Sequence, residues 1–437
     1  MEALIMAAQL LLGLSLLVGL HEAGHMVAAK AFGMRVEKFS IGFPPKIFSF
    51  TKGDTEYSLG AIPLGGFVKI SGMIDESLDT KSMNQEPEPW EFRAKPAWQR
   101  LIVMLGGIIV NVIAGIIIFI GLTYSIGESY ISKEEGNRYG IAVSEAAYEI
   151  GLRNGDKIVA INGKDFKRFS DVSNPEFLMA TNAFYTVERE GKLIDVNIPS
   201  NFLDRVTTND GMETFISPRV PFTVDAVMPD SPAAIAGLEP GDKIIAVENT
   251  TIAFFDEITK ALNERKGQAT EITILRNESP LKLNVNVSEQ GTIGFYHQPK
   301  IEFTTREFTF TEAIGEGTGR AFSAVYLNAL GLGKMIKGDI SVSKASGPIG
   351  IAKIFGPTWD WVRFWSATAF ISMVLAFMNL LPIPALDGGH VMFLMYEIIS
   401  GRKPSDKFLE NAQKVGMVVL LTLMVFVLGN DILKLFM

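Results

Sequence analysis

The stretch Leu17-Val18-Gly19-Leu20-His21-Glu22-Ala23-Gly24-His25 closes an apolar run that begins at Ala3. Two histidines and a carboxylate are costly inside lipid, so their presence there points to function. Four residues turn a helix by about 400°, which sets His21 and His25 on one face, where both imidazoles can hold one Zn²⁺. Glu22 projects from the adjoining side and can take a proton from a zinc-activated water. The motif therefore reads as half of a zinc hydrolase site at the end of a membrane helix.

Working outward, four apolar stretches reach the ~20 residues needed to cross a bilayer. They are Ala3–Phe32, Leu101–Ile126, Phe364–Leu381 and Val415–Leu435. The first begins Met-Glu and is too long for the apolar part of a signal peptide, so it is expected to remain as a span. Between the second and third spans lies a polar interval, Gly127–Trp361, with room for two small domains. Lys30, Arg35, Lys38, Lys46, Arg93, Lys95 and Arg100 connect the first two spans, and Arg402, Lys403, Lys407 and Lys414 connect the last two. By the positive-inside rule both connections are cytoplasmic, and the long interval lies outside. The His21 motif and the end of the third span then approach the same side.

Net charge is −8, without a basic stripe, which argues against nucleic-acid binding. The absence of cysteine removes disulfides and thiolate zinc ligands.

Within the polar interval, Gly151-Leu152-Arg153-Asn154-Gly155-Asp156-Lys157-Ile158-Val159-Ala160 recurs as Gly237-Leu238-Glu239-Pro240-Gly241-Asp242-Lys243-Ile244-Ile245-Ala246. Ser231-Pro232-Ala233-Ala234 ahead of the second copy reads as a helix cap with proline in the first turn. Helix, turn and strand repeated at domain spacing indicate tandem modules. The repeat resembles the bacterial PDZ signature, which implies capture of extended chain ends by strand addition, or a steric filter. Thr311–Lys337 is patterned as an amphipathic helix ending at Gly338, placed along the outer membrane surface or acting as a linker.

A catalytic zinc takes three protein ligands and keeps one position open. The remaining histidines are His297, in the polar interval and on the wrong side, and His390. His390 ends the segment Asn379-Leu380-Leu381-Pro382-Ile383-Pro384-Ala385-Leu386-Asp387-Gly388-Gly389-His390. Two prolines break the third span there, and irregular backbone at membrane depth lines a cavity. Asp387 is the first candidate for third ligand, and His390, three residues on, is the alternative.

His-Glu-x-x-His in the first span, Asn-x-x-Pro-x-Pro-x-Leu-Asp-Gly in the third, and Ser346-Gly347-Pro348-Ile349-Gly350 ahead of it resemble the site-2 protease family of intramembrane zinc metalloproteases. The resemblance implies His21, His25 and Asp387 as zinc ligands, Glu22 as general acid and base, and Asn379 as a contact to substrate backbone. Tyr57–Met73, with Gly65-Gly66-Phe67 at its centre, reads as a hairpin. It resembles the family's membrane-associated β-loop, which implies that Gly65, Gly66 and Phe67 hold an unwound substrate.

The expected fold is a polytopic α-helical membrane protein with four transmembrane helices, a membrane-associated β-hairpin and two extracytoplasmic PDZ-like α+β domains. Its expected segments are 1–126, 127–205, 206–291, 292–361 and 362–437. The resemblance implies a multi-pass protein of the bacterial inner membrane with periplasmic PDZ domains. The implied substrates are single-span membrane proteins, typically an anti-sigma factor trimmed by an upstream site-1 protease, and remnant signal peptides.

Overall fold

The computed structural model describes residues 1–73, 86–199, 202 and 215–436. The chain forms two compact units, one of Met1–Gly127 with Glu307–Met437, the other of Glu128–Arg306.

In the first unit, α1 (Glu2–Ala31) carries Glu2 in its first turn and Lys30 in its last, each matched to the helix dipole. It ends at Gly33, whose φ of +65° a side chain would resist. The strands β1 (Val36–Lys52) and β2 (Thr55–Ile70) follow, then α2 (Ala97–Ile126), α3 (Phe310–Lys337), α4 (Pro348–Phe355), α5 (Trp361–Leu380), α6 (Asp387–Ser400) and α7 (Asp406–Phe436). Helices α1, α2, α5 and α7 are long and apolar enough to cross a membrane.

Lipid gives helices no hydrophobic reason to associate, so close packing must hold them together. Glycines make that possible between α1 and α2. A Cβ on Gly24 would stand 2.3 Å from the Gly106 carbonyl oxygen, and one on Gly106 would stand 2.6 Å from that of Gly24. Leu10 and Leu17 of α1 pack with Phe355, Phe364, Ala367 and Ile371.

Helix α3 starts with a reciprocal cap between Thr309 and Glu312 and stops at left-handed Gly338, as the sequence pattern anticipates. Its small residues Ala321 and Ala324 meet Met373 of α5 and Val112, Ile116 and Phe119 of α2. It is thus part of the helical body.

The third span breaks as expected. Helix α5 ends at Leu380, and Ala385 adopts a φ of +78° before α6 begins at Asp387. The freed backbone is re-satisfied locally: Leu386 N–H donates to the Ile383 carbonyl at 3.1 Å, and Ile383 N–H to Leu381 at 2.7 Å. Gly388 is required because a Cβ there would lie 2.1 Å from the Leu381 carbonyl oxygen. The break also seats α7, since a Cβ on Gly416 would lie 1.9 Å from the Pro384 carbonyl oxygen.

The hairpin differs from the sequence reading. Tyr57–Ile70 is not a hairpin turning at Gly65-Gly66 but runs within the single strand β2, and the turn lies at Gly53-Asp54. Phe39 stands opposite both Val68 and Tyr57, and Tyr57 opposite both Phe39 and Phe50. The two long strands therefore bend into four adjoining segments, with Gly66–Ile70 outermost. The glycines serve close approach: a Cβ on Gly65 would stand 2.4 Å from the Phe43 ring, and one on Gly60 2.3 Å from the Phe43 carbonyl oxygen.

The second unit contains the repeat, and the structure extends it to side-chain bonds. Asp156 accepts two bonds from Arg189, both 2.7 Å, while Arg189 also donates to the Gly151 carbonyl. Asp242 accepts from Arg276 at 2.9 and 2.8 Å, while Arg276 donates to the Gly237 carbonyl. Ser144 caps the short helix of the first copy as Ser231 caps that of the second. Strand Ile216–Pro218 pairs with Ile141–Val143, and Phe295–Pro299 with Phe222–Val227. Each copy thus closes with a strand later in the chain than the segment limits 205 and 291 would place it; the 205/206 limit itself lies outside the described residues.

Candidate metal centre

His21 and His25 lie on α1 where it crosses α2, both at least nine-tenths buried, with rings nearly perpendicular at a centroid distance of 4.7 Å. Glycine on α2 makes room for them. A Cβ on Gly107 would fall 2.5 Å from His25 Nε2 and 2.7 Å from His21 Nδ1. Asp387, the first residue of α6, brings Oδ2 to 3.0 Å from His21 Nε2 and 3.4 Å from His25 Nε2. The two Nε2 atoms are 3.2 Å apart. The proline break therefore closes the sequence gap between the two half-sites.

Those three edges test whether the residues fit a metal. Ligands about 2.0–2.1 Å from a tetrahedral zinc are separated by about 3.3–3.4 Å. Edges of 3.0, 3.2 and 3.4 Å match one face of such a tetrahedron, leaving the fourth vertex for water. His25 Nδ1 faces the Val103 carbonyl oxygen at 2.8 Å, which can only accept, so the proton sits on Nδ1 and the Nε2 lone pair is free. Two imidazoles and a carboxylate are a donor set suited to zinc.

His390 lines the cavity around the triangle but stands outside the triangle itself. Its Nε2 meets the Gln413 side chain of α7 at 3.2 Å. His297 lies in the second unit, stacked on Phe255 with centroids 3.7 Å apart. Burial holds its pKa below the usual histidine value.

Around the triangle is a cavity of about 1030 Å³. Glu22, Asn379, His390 and the β2 residues Gly65, Gly66, Phe67 and Val68 line it. A Cβ on Gly66 would come 3.4 Å from Glu22 Cγ, so β2 runs directly past the carboxylate. Asn379 Nδ2 is 3.4 Å from His21 Nε2. The candidates from the sequence thus share one cavity. The sequence reading missed Asn111 of α2, 3.3 Å from His21 Nδ1, and Gly107. An asparagine inside an otherwise apolar span was the available signal.

Comparison with known proteins now decides the class. The profile of peptidase family M50 matches residues 9–423. The chain belongs to that family. It is 30% identical to the regulator of sigma-E protease RseP of Escherichia coli, over 98% of this chain and 98% of that protein. It is 27% identical to a putative zinc metalloprotease of Neisseria meningitidis, over 96% of this chain and 97% of that protein. A putative zinc metalloprotease of Vibrio cholerae is 28% identical over 97% of this chain. The M50 chain described here is accordingly a site-2 zinc metalloprotease with a multi-pass membrane body.

Proposed function

We propose that this M50 protease hydrolyses a peptide bond within the transmembrane segment of a single-span protein, with His21, His25 and Asp387 as zinc ligands. The observation that carries the reading is the ligand triangle at the wall of a cavity shared with Glu22 and β2, on a helix long enough to cross a membrane.

Zn²⁺ held by His21, His25 and Asp387 would supply Lewis acidity to the scissile carbonyl and the attacking water. Glu22 takes the proton from that water and delivers it to the leaving amine. The substrate must be unwound first, because a helical peptide bond is hydrogen-bonded and shielded. Gly66–Ile70 is suited to hold it extended: β1 pairs on one side, and the other side borders the cavity. Gly65 and Gly66 line the cavity and offer backbone to an extended substrate, Phe67 offers an apolar contact, and the Asn379 amide can bond the substrate backbone. Asn379 faces the metal site, its Nδ2 3.4 Å from His21 Nε2.

The basic connections support a site towards the cytoplasm and a second unit in the periplasm of a bacterial inner membrane. The repeated modules are read as PDZ-like, capturing a chain end or excluding untrimmed substrates. The relative named as a regulator of sigma-E protease supports an anti-sigma factor, trimmed by an upstream protease, as the natural substrate class. Remnant signal peptides fit the same site.

The test is mass-spectrometric mapping of the cut in a single-span substrate co-reconstituted with the protease in liposomes. Cleavage inside the apolar segment is expected. Cleavage confined to flanking soluble sequence would contradict an intramembrane reaction. Removing residues 128–306 should extend cleavage to untrimmed substrates if the modules filter by size.

A further inference from the structure

Asn111 lies on α2 one turn beyond Gly107, 1 % exposed, on the face covered by the imidazoles. Its backbone carbonyl accepts a 2.7 Å bond from Ser372 Oγ of α5, which ties its position to a second helix. Its side-chain amide stands 3.3 Å from His21 Nδ1, and its other amide end, Oδ1, is buried without a hydrogen-bond partner among the described residues.

In the triangle both histidines present Nε2. An imidazole that ligates through Nε2 must be protonated on Nδ1. For His25 the Val103 carbonyl secures this. For His21 the group opposite Nδ1 is the Asn111 amide, whose two ends are nearly alike in shape and opposite in hydrogen-bonding sense. With Nδ2 forward, the amide donates to Nδ1, the ring proton moves to Nε2, and the ligand lone pair is lost. With Oδ1 forward, the amide accepts Nδ1–H, and Nε2 is free to bind metal. Rotation about the last side-chain bond interchanges the two arrangements. As it stands, Oδ1 has no partner among the described residues, so this orientation is not held by a bond at that end and the demand of the ring decides between them.

We infer that Asn111 is a positioning residue of the metal centre, its Oδ1 accepting the Nδ1 proton of His21 to fix the ligating tautomer and the plane of the ring. The inference rests on the reading of His21, His25 and Asp387 as zinc ligands. It gives α2 a double part: Val103 orients one histidine, Asn111 the other, and Gly107 between them makes room for both rings.

The test is zinc affinity of the purified full-length chain, measured by competition with a fluorescent chelator. Asn111→Leu, which keeps bulk and removes the acceptor, should weaken zinc binding about 10- to 100-fold, the usual effect of losing such a partner. Asn111→Asp retains an acceptor in the same place and should bind within a few-fold of wild type. A role resting on the amide N–H or on packing of an uncharged side chain would be lost in Asn111→Asp as well. Wild-type affinity in Asn111→Leu, or an Asn111→Asp as weak as Asn111→Leu, overturns the inference. His21→Ala tests the underlying reading separately: if it binds zinc like wild type, the ligand assignment itself fails. Should Asn111→Leu not fold, ¹⁵N-histidine NMR of the zinc-loaded wild type gives the answer. A proton on Nδ1 of His21 is expected, and a proton on Nε2 overturns the inference.

Discussion

His21 Nε2 and Asp387 Oδ2 lie 3.0 Å apart, although one belongs to the first spanning helix and the other follows the break that ends the third. The contact depends on the break after α5, because an unbroken helix would carry Asp387 past the histidines. The break in turn depends on residues that look like punctuation in the sequence: Pro382, Pro384 and the two glycines after Asp387.

Asp387→Asn removes the charge of one proposed ligand while keeping its shape. Zinc content measured by mass spectrometry should fall to a small fraction of wild type, whereas His390→Ala should retain near-stoichiometric zinc, since His390 bonds Gln413 outside the triangle. Loss of zinc only in His390→Ala would reverse the assignment.

Gly107→Ala inserts a methyl group at 2.5 Å from His25 Nε2. Overpacking of this kind costs about 1–3 kcal/mol. Here it falls on the ligand rings, so zinc affinity should drop by at least tenfold. Gly121→Ala on the same helix, where nothing lies within 4 Å, is the control and should bind as wild type.

How much of this was legible beforehand varies by element. The spans were, because each is a long apolar run, and so was the His21–His25 face, because helical spacing fixes it. The proline-broken span pointed to Asp387, the carboxylate that stands beside the two histidines. The hairpin turn was misplaced because Gly60, Gly65 and Gly66 resemble turn residues, while they are there to let strands and the Phe43 ring approach. The partners of Asp156 and Asp242 were invisible, since Arg189 and Arg276 end the neighbouring strand of each sheet, 33 and 34 residues further along the chain. Likewise, nothing local pairs Arg100 with Glu397, which meet at 2.5 Å to tie α2 to α6.

Those repeat arginines lead to a stability prediction. Asp156 is 1 % exposed and bonded to both Arg189 and the Arg153 amide. Asp156→Ala strips these charge-assisted bonds and should destabilise the second unit by about 1–3 kcal/mol. Hydrogen exchange of the full chain should show faster opening around the Gly155 turn, and Asp242→Ala should do the same around Gly241. Unchanged protection would show that the pairs are dispensable.

His297 gives the second unit a pH dependence of definite sign. Burial lowers its folded pKa below the ordinary 6.5, so the unfolded chain binds a proton more readily. The unit is therefore fully stable with respect to this group above pH 6.5 and loses stability as pH falls from there towards the lower folded value. His297→Phe should flatten that part of a pH–melting profile of the full chain, and a profile as steep as wild type would show that His297 does not titrate against folding.

The most direct test of the central claim is cleavage of a single-span substrate in liposomes by wild type and Glu22→Gln, each with and without a zinc chelator. The account predicts that wild type cuts within the membrane segment, that the chelator abolishes cutting, and that added zinc restores it. Glu22→Gln should retain zinc yet lose at least a hundredfold in rate, the lower range of general acid–base contributions being about 10². Equal cleavage by wild type and Glu22→Gln, or cleavage that survives removal of zinc, would contradict it.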